Sequence, residues 1–110
     1  MNKYTYIHMW KGLNMKKTIE VTKLANMFSV LGDPTRLGIV LYLMDKKTSV
    51  TEIVNALGLT QSAVSHQLRI LKDAHVLKSD KVGKMVFYSL NDEHVRIIVE
   101  TGHVHMNHME

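Results

Sequence analysis

Ser49 to Leu90 reads SVTEIVNALGLTQSAVSHQLRILKDAHVLKSDKVGKMVFYSL, and its helix signals decide the fold. SVTE, Ser49 to Glu52, is a capping box, in which a hydroxyl and a carboxyl satisfy backbone donors at a helix start. Ile53, Val54 and Leu57 then point inward on a short helix, and Gly58 breaks it. Thr60 caps a longer helix from about Gln61 to Ala74, with Val64, Leu68 and Leu71 along one side. Two helices joined by a tight glycine-containing turn make a helix-turn-helix unit. Val76 to Lys81 and Met85 to Leu90 are β-prone runs, with Val82, Gly83 and Lys84 as the turn between them. A hairpin directly after such a unit reads as a wing. The expected class is therefore mainly α with a small β-hairpin, a winged helix-turn-helix.

The second helix of the unit exposes Gln61, Ser62, Ser65 and Gln67 near its start, with Arg69 and Lys72 further along. Short polar side chains there suit base edges and cations suit phosphates. A solvated face on an ordinary helical hairpin explains that helix equally well. The wing shifts the balance towards DNA. Residues 60–90 hold Arg69, Lys72, Lys78, Lys81 and Lys84 against Asp73 and Asp80, a local excess of three positive charges within a chain of net charge +4. Lys81 and Lys84 join the candidate DNA contacts.

Towards the N-terminus, Val21, Leu24, Phe28 and Leu31 recur at helical spacing over Thr18 to Leu31. Gly32 closes that helix, and Asp33-Pro34 opens another with a capping carboxylate and a proline at the first helical position. Leu37, Val40, Leu41 and Met44 form the core-facing stripe expected there. Lys46 to Thr48 reads as a polar connection. Residues 1–17 show no period and form a flexible arm, with Met15 as an alternative start and with His8 and Trp10 more suited to packing than to ligation. Residues 18–110 make one small domain, of a size that gains from dimerising.

The chain has no cysteine, which removes disulfides, iron–sulfur clusters and thiolate metal sites together. No signal-peptide core and no apolar run long enough to span a bilayer are present, so the expectation is a cytoplasmic protein. No nucleophile–base set or phosphate loop stands out, so the chain does not read as an enzyme.

The C-terminal segment, NDEHVRIIVETGHVHMNHME from Asn91 to Glu110, carries ligand-type residues at informative spacing. Asp92, His94, His105 and His108 suit borderline metals such as zinc. Eleven helical residues span about 16 Å and return to within about 20° of the same face. His94 and His105 thus share a stripe but cannot meet one ion, because a zinc–nitrogen bond is only about 2.0–2.1 Å. Two antiparallel copies would bring Asp92 and His94 of one chain beside His105 and His108 of the other, giving two four-ligand sites per homodimer. His103 falls out of phase and faces away. Val95, Ile98 and Val99 supply an apolar seam beside the stripe. Ligation needs neutral imidazole, so metal affinity is expected to fall as pH drops through roughly 6.5.

LGDPTRLGIVLYL (Leu31 to Leu43), LTQSAVSHQLRILKDAHVL (Leu59 to Leu77) and GKMVFYSL (Gly83 to Leu90) resemble the ArsR/SmtB family of metal-responsive winged-helix repressors, over about Val21 to His108. Members sensing zinc or cobalt on the last helix use an Asp-x-His-x10-His-x2-His pattern, which Asp92, His94, His105 and His108 match without a gap. The family's cysteine pair for arsenic, cadmium or lead would fall near Ser49 to Glu52, where cysteine is absent. The resemblance also implies an outer-shell hydrogen bond from the ring of His105 to backbone near His66. It implies a zinc-responsive repressor whose dimer leaves a pseudo-palindromic operator when the ion binds. The alternatives are a nickel- or cobalt-responsive repressor, with His8 or His103 widening the shell, and a metal-independent architectural DNA-binding protein.

Overall fold

The structure, a computed structural model, describes residues 16–108. The expected arm, with His8 and Trp10, lies outside the described residues apart from its last two positions. Helix α1 spans Lys16–Leu31, α2 Pro34–Tyr42, α3 Val50–Leu57, α4 Gln61–Asp73 and α5 Glu93–His108, with strands β1 Thr48–Ser49, β2 Leu77–Val82 and β3 Met85–Leu90. Helix α1 therefore starts two residues before the expected boundary.

The helix starts are set by side chains that replace missing intrahelical acceptors. Asp33 accepts from the Arg36 N–H at 3.0 Å, Ser49 from the Glu52 N–H at 3.2 Å and Thr60 from the Ala63 N–H at 3.2 Å. Gly58 ends α3 at φ 66°, its N–H bonded to the Val54 carbonyl, a conformation in which a Cβ would be strained. The hairpin pairs Val82 with Met85 across a two-residue loop, and Gly83 supplies the positive φ of 62° that such a loop needs.

The hairpin is one part of a three-stranded antiparallel sheet of order β1-β3-β2. The Lys46–Thr48 connection is thus only partly a connection: Thr48 and Ser49 pair with Tyr88 and Phe87 and are buried. Two residues are too few to show an alternating pattern, and what orders them is the neighbouring strand.

Ile39, Val40, Leu43, Ile53, Val64, Leu68, Leu71, Val76 and Leu77 are fully or almost fully buried, with Val30, Leu31 and Val95 at the margin. Burial of each such side chain stabilises the fold by about 1.5–3 kcal/mol. The expected stripe on α2 is corrected here. Val40 is in the core, but Ile39 and Leu43 complete it, while Leu41 is 52% exposed and Leu37 and Met44 are half-buried. Helix α2 is apolar on two faces, and periodicity alone does not say which is covered. On α1, Leu24 and Phe28 are likewise about half exposed.

Candidate functional site

Helix α4 is anchored by Val64, Leu68 and Leu71, which turns Gln61, Ser62, Ser65, Arg69 and Lys72 outward, all exposed. Gln61 and Ser65 share a cleft of about 230 Å³ with Ser49, Val50 and Thr51 at the start of α3 and with Lys84, Met85 and Val86 of the wing. Two helix starts and one wing lysine therefore open on the same side, where backbone N–H groups and a cation suit phosphate. Lys81 and Lys84 are exposed on the wing.

Gln67 differs from the other candidates. It is half-buried, and its Oε1 accepts from Arg36 Nη1 at 3.1 Å, while Arg36 Nε donates to the Val30 carbonyl at 2.7 Å. Six residues beyond Gln61, it lies on a different side of the helix, where its amide braces α2 and the end of α1.

At the other side of the molecule Asp92 precedes α5 and caps it, Oδ1 accepting from the Val95 N–H at 3.3 Å and Oδ2 from Asn91 Nδ2 at 3.2 Å. Some burial works to raise its carboxyl pKa, but the Asn91 and Val95 hydrogen bonds and the neighbouring His94 outweigh it and hold Asp92 below the ordinary value of 3.8. His94 Nδ1 lies 3.5 Å from Asp92 Oδ1 and is well exposed. The two side chains thus sit side by side at the start of α5, His94 facing solvent.

His105 and His108 lie exposed at the far end of the same uninterrupted helix. Among the described residues, no three histidine, aspartate or glutamate side chains of one chain converge closely enough to hold a metal ion. His103 bonds to Asn107 at 3.1 Å and lines an apolar groove of about 750 Å³ with Phe28, Leu41 and Met106, away from the Asp92 side.

A second groove, about 440 Å³, holds Asp92 and His94 together with His75, Leu24 and Ile98. His66 is exposed on α4 and lies outside this groove, whereas His75 lines it. His75 ends α4 at φ 60°, an uncommon backbone for a residue with a Cβ, with its N–H on the Lys72 carbonyl and the Val76 N–H on the Leu71 carbonyl. The Asn91 N–H bonds to the Val76 carbonyl at 3.0 Å, so the end of α4 and the start of α5 are tied directly.

The profile described as "Bacterial regulatory protein, arsR family" matches residues 33–79. The chain is similar to the HTH-type transcriptional regulator NmtR of Mycobacterium tuberculosis, 36% identical over 87 residues, which is 79% of this chain and 72% of that protein. It belongs to the arsR family. The cadmium resistance transcriptional regulatory protein CadC homolog of Staphylococcus aureus is 36% identical over 109 residues, 96% of this chain and 90% of that protein. Among solved structures, HlyU from Vibrio cholerae N16961 superposes with a TM-score of 0.72 at 30% identity, covering 76% of this chain and 91% of its own. As a member of the arsR family the chain is a winged-helix, DNA-binding transcriptional regulator and not an enzyme. No helix among the described residues is long and apolar enough to cross a membrane.

Proposed function

We propose that this chain is a zinc-responsive repressor that binds a pseudo-palindromic operator as a homodimer and leaves it when zinc binds. The observation that carries this reading is the division of ligands on α5, with the Asp92–His94 pair preformed at one end and His105 and His108 on the other. Two-fold pairing of antiparallel α5 helices completes both sites at once. The half-exposed apolar residues Phe28, Leu41 and Met106 around the groove favour a second copy, since a contiguous apolar surface in a small domain is costly to leave in water.

The donor set supports the choice of ion. A relative is named for cadmium resistance, yet this chain holds no cysteine, and imidazole with carboxylate suits zinc better than a thiophilic ion. Asp92 is both helix cap and ligand in this reading, so ion binding acts directly on the start of α5. His75 and the Asn91–Val76 bond stand between that start and the end of α4, a short route to the DNA face. Gln61, Ser62 and Ser65 meet base edges in this reading, and Arg69, Lys72, Lys81 and Lys84 meet phosphates.

A mobility-shift titration of operator DNA with and without micromolar zinc tests the reading. Zinc is expected to weaken binding at least about fivefold, and His105→Ala to abolish that effect with apo binding kept. Unchanged affinity in zinc for the wild-type chain would refute it. Absorption of the cobalt-substituted dimer reads the shell, four-coordinate for the ligands named and octahedral if nickel or cobalt is the ion sensed.

A further inference from the structure

Arg96 is the one side chain of α5 that grips the body of the protein with several polar bonds among the described residues. Its Nη1 lies 2.6 Å from Asp45 Oδ1 and its Nε 3.3 Å from Glu93 Oε1, while Nη2 donates to the Met44 carbonyl. The arginine side chain is 24% exposed and Asp45 is 86% exposed. Asp45 holds the guanidinium charged most strongly, with Glu93 adding to it. Met44 and Asp45 lie just past α2, where a cation also complements the helix C-terminus.

Two residues further on, Lys47 Nζ lies 2.5 Å from Asp80 Oδ2 on β2. The turn after α2 is thus held from both sides, by the helix that carries the histidines and by a strand of the wing. Thr48, next in the chain, is fully buried and registered against Tyr88 of β3. Anchored there, the turn has little freedom to absorb a displacement at Asp45 without passing it to Lys47. The groove beside the turn is lined by Asp45, Lys47, Lys78, Asp92 and Arg96, so the bridge is physically continuous from the start of α5 to the wing.

We propose that Arg96 is a positioning residue for DNA binding, setting the angle of the wing through the turn at 44–48 and the Lys47–Asp80 pair. As a route for the zinc response it rests on the metal-sensing reading above; as a determinant of wing angle it does not. Both pairs are partly exposed, and such pairs are individually weak. The effect expected from breaking either is therefore about two- to fivefold in operator affinity, against a dimer that otherwise stays folded.

The test is a double-mutant cycle in the metal-free, full-length chain. Arg96→Gln and Lys47→Gln are each expected to weaken operator binding by that factor, and the double variant to be no weaker than the worse single one, because they interrupt one connection. In ¹⁵N–¹H spectra, Arg96→Gln should move the amides of Val82 to Met85, far from the substitution. Asp80→Asn is the sharpest arm. Removing a carboxylate from among Lys78, Lys81 and Lys84 should tighten DNA binding by charge alone, whereas a misplaced wing should weaken it. The proposal is overturned if the single effects add, if amide changes stay within α5 and residues 44–46, if Asp80→Asn binds tighter, or if Lys47→Gln lowers the salt slope by about one, which would make Lys47 a phosphate contact. Asp45→Asn, at an exposed position, tests the same link should Arg96→Gln unfold. Repeating the titrations in zinc separates the two readings: if zinc leaves the wild-type chain unaffected the metal sensor falls, while the metal-free cycle still decides the bridge.

Discussion

Helices α4 and α5 are of similar length, 13 and 16 residues, yet the described residues cover the apolar face of only the first. Helix α4 buries Val64, Leu68 and Leu71 entirely, whereas α5 buries Val95 and leaves Ile97, Val104 and Met106 54%, 53% and 62% exposed. A helix that presents side chains to DNA must hold them at fixed angles, and full burial of one face does that within the monomer. A helix whose ligand-type residues sit at opposite ends gains nothing from being finished early; in the proposed dimer a second copy of the helix finishes it.

That contrast can be broken most severely at the α4 face. Leu68→Ala, at a fully buried position, should cost about 2–5 kcal/mol in urea unfolding. A cost below 1 kcal/mol would mean that α4 is not the rigid member. On the α5 side, Phe28→Asp, at a position 52% exposed, should leave the monomer folded but weaken dimerisation by about 2 kcal/mol or more, read by sedimentation equilibrium. An unchanged dimer would move the seam elsewhere.

Smaller changes sharpen the comparison at the helix ends. Thr60→Ala removes the cap of α4 and should destabilise by about 1 kcal/mol. His75→Gly relieves a positive φ at the other end of α4 and should stabilise thermal unfolding by about 1 kcal/mol. The smallest effect is in acid. Its hydrogen bond and charge pairing with Lys47 hold the Asp80 carboxyl below 3.8. A depressed carboxylate stabilises above its unfolded pKa and loses that contribution as pH falls through the folded one. Stability from this pair should therefore be level between about pH 5 and 7 and decline below about 3.8, and Lys47→Gln should flatten that decline.

The winged helix was legible because its signals are local. Thr60, Gly58, Asp33-Pro34 and the spacing of Val64, Leu68 and Leu71 each act within a few residues of themselves, and the structure uses every one. Non-local relations were the ones that escaped. Strand β1 exists because β3 lies beside it, and Leu41 is exposed because nothing among the described residues covers that side of α2. Arg96 meets Asp45 across 51 positions of sequence, and no spacing rule reaches that far. Gln67 looked like its polar neighbours on α4 until Arg36 was seen to hold it. The ligand-type residues of α5 were visible from type and period, but the place of His75 beside Asp92 and His94 depends on the turn that ends α4.

The sheet order has a consequence for solubility. A strand edge with free backbone groups invites pairing with any other chain, and proteins guard against this with short edges and charge. Here one outer strand, β1, is two residues long, and the other, β2, carries Lys78, Asp80 and Lys81 in its six residues. The most apolar strand, β3, is enclosed between them. A molecule with so much apolar helix surface on offer thus withholds its sheet, which leaves the helices for the proposed pairing, where assembly can stop at two copies, and closes off strands, where it would have no natural end.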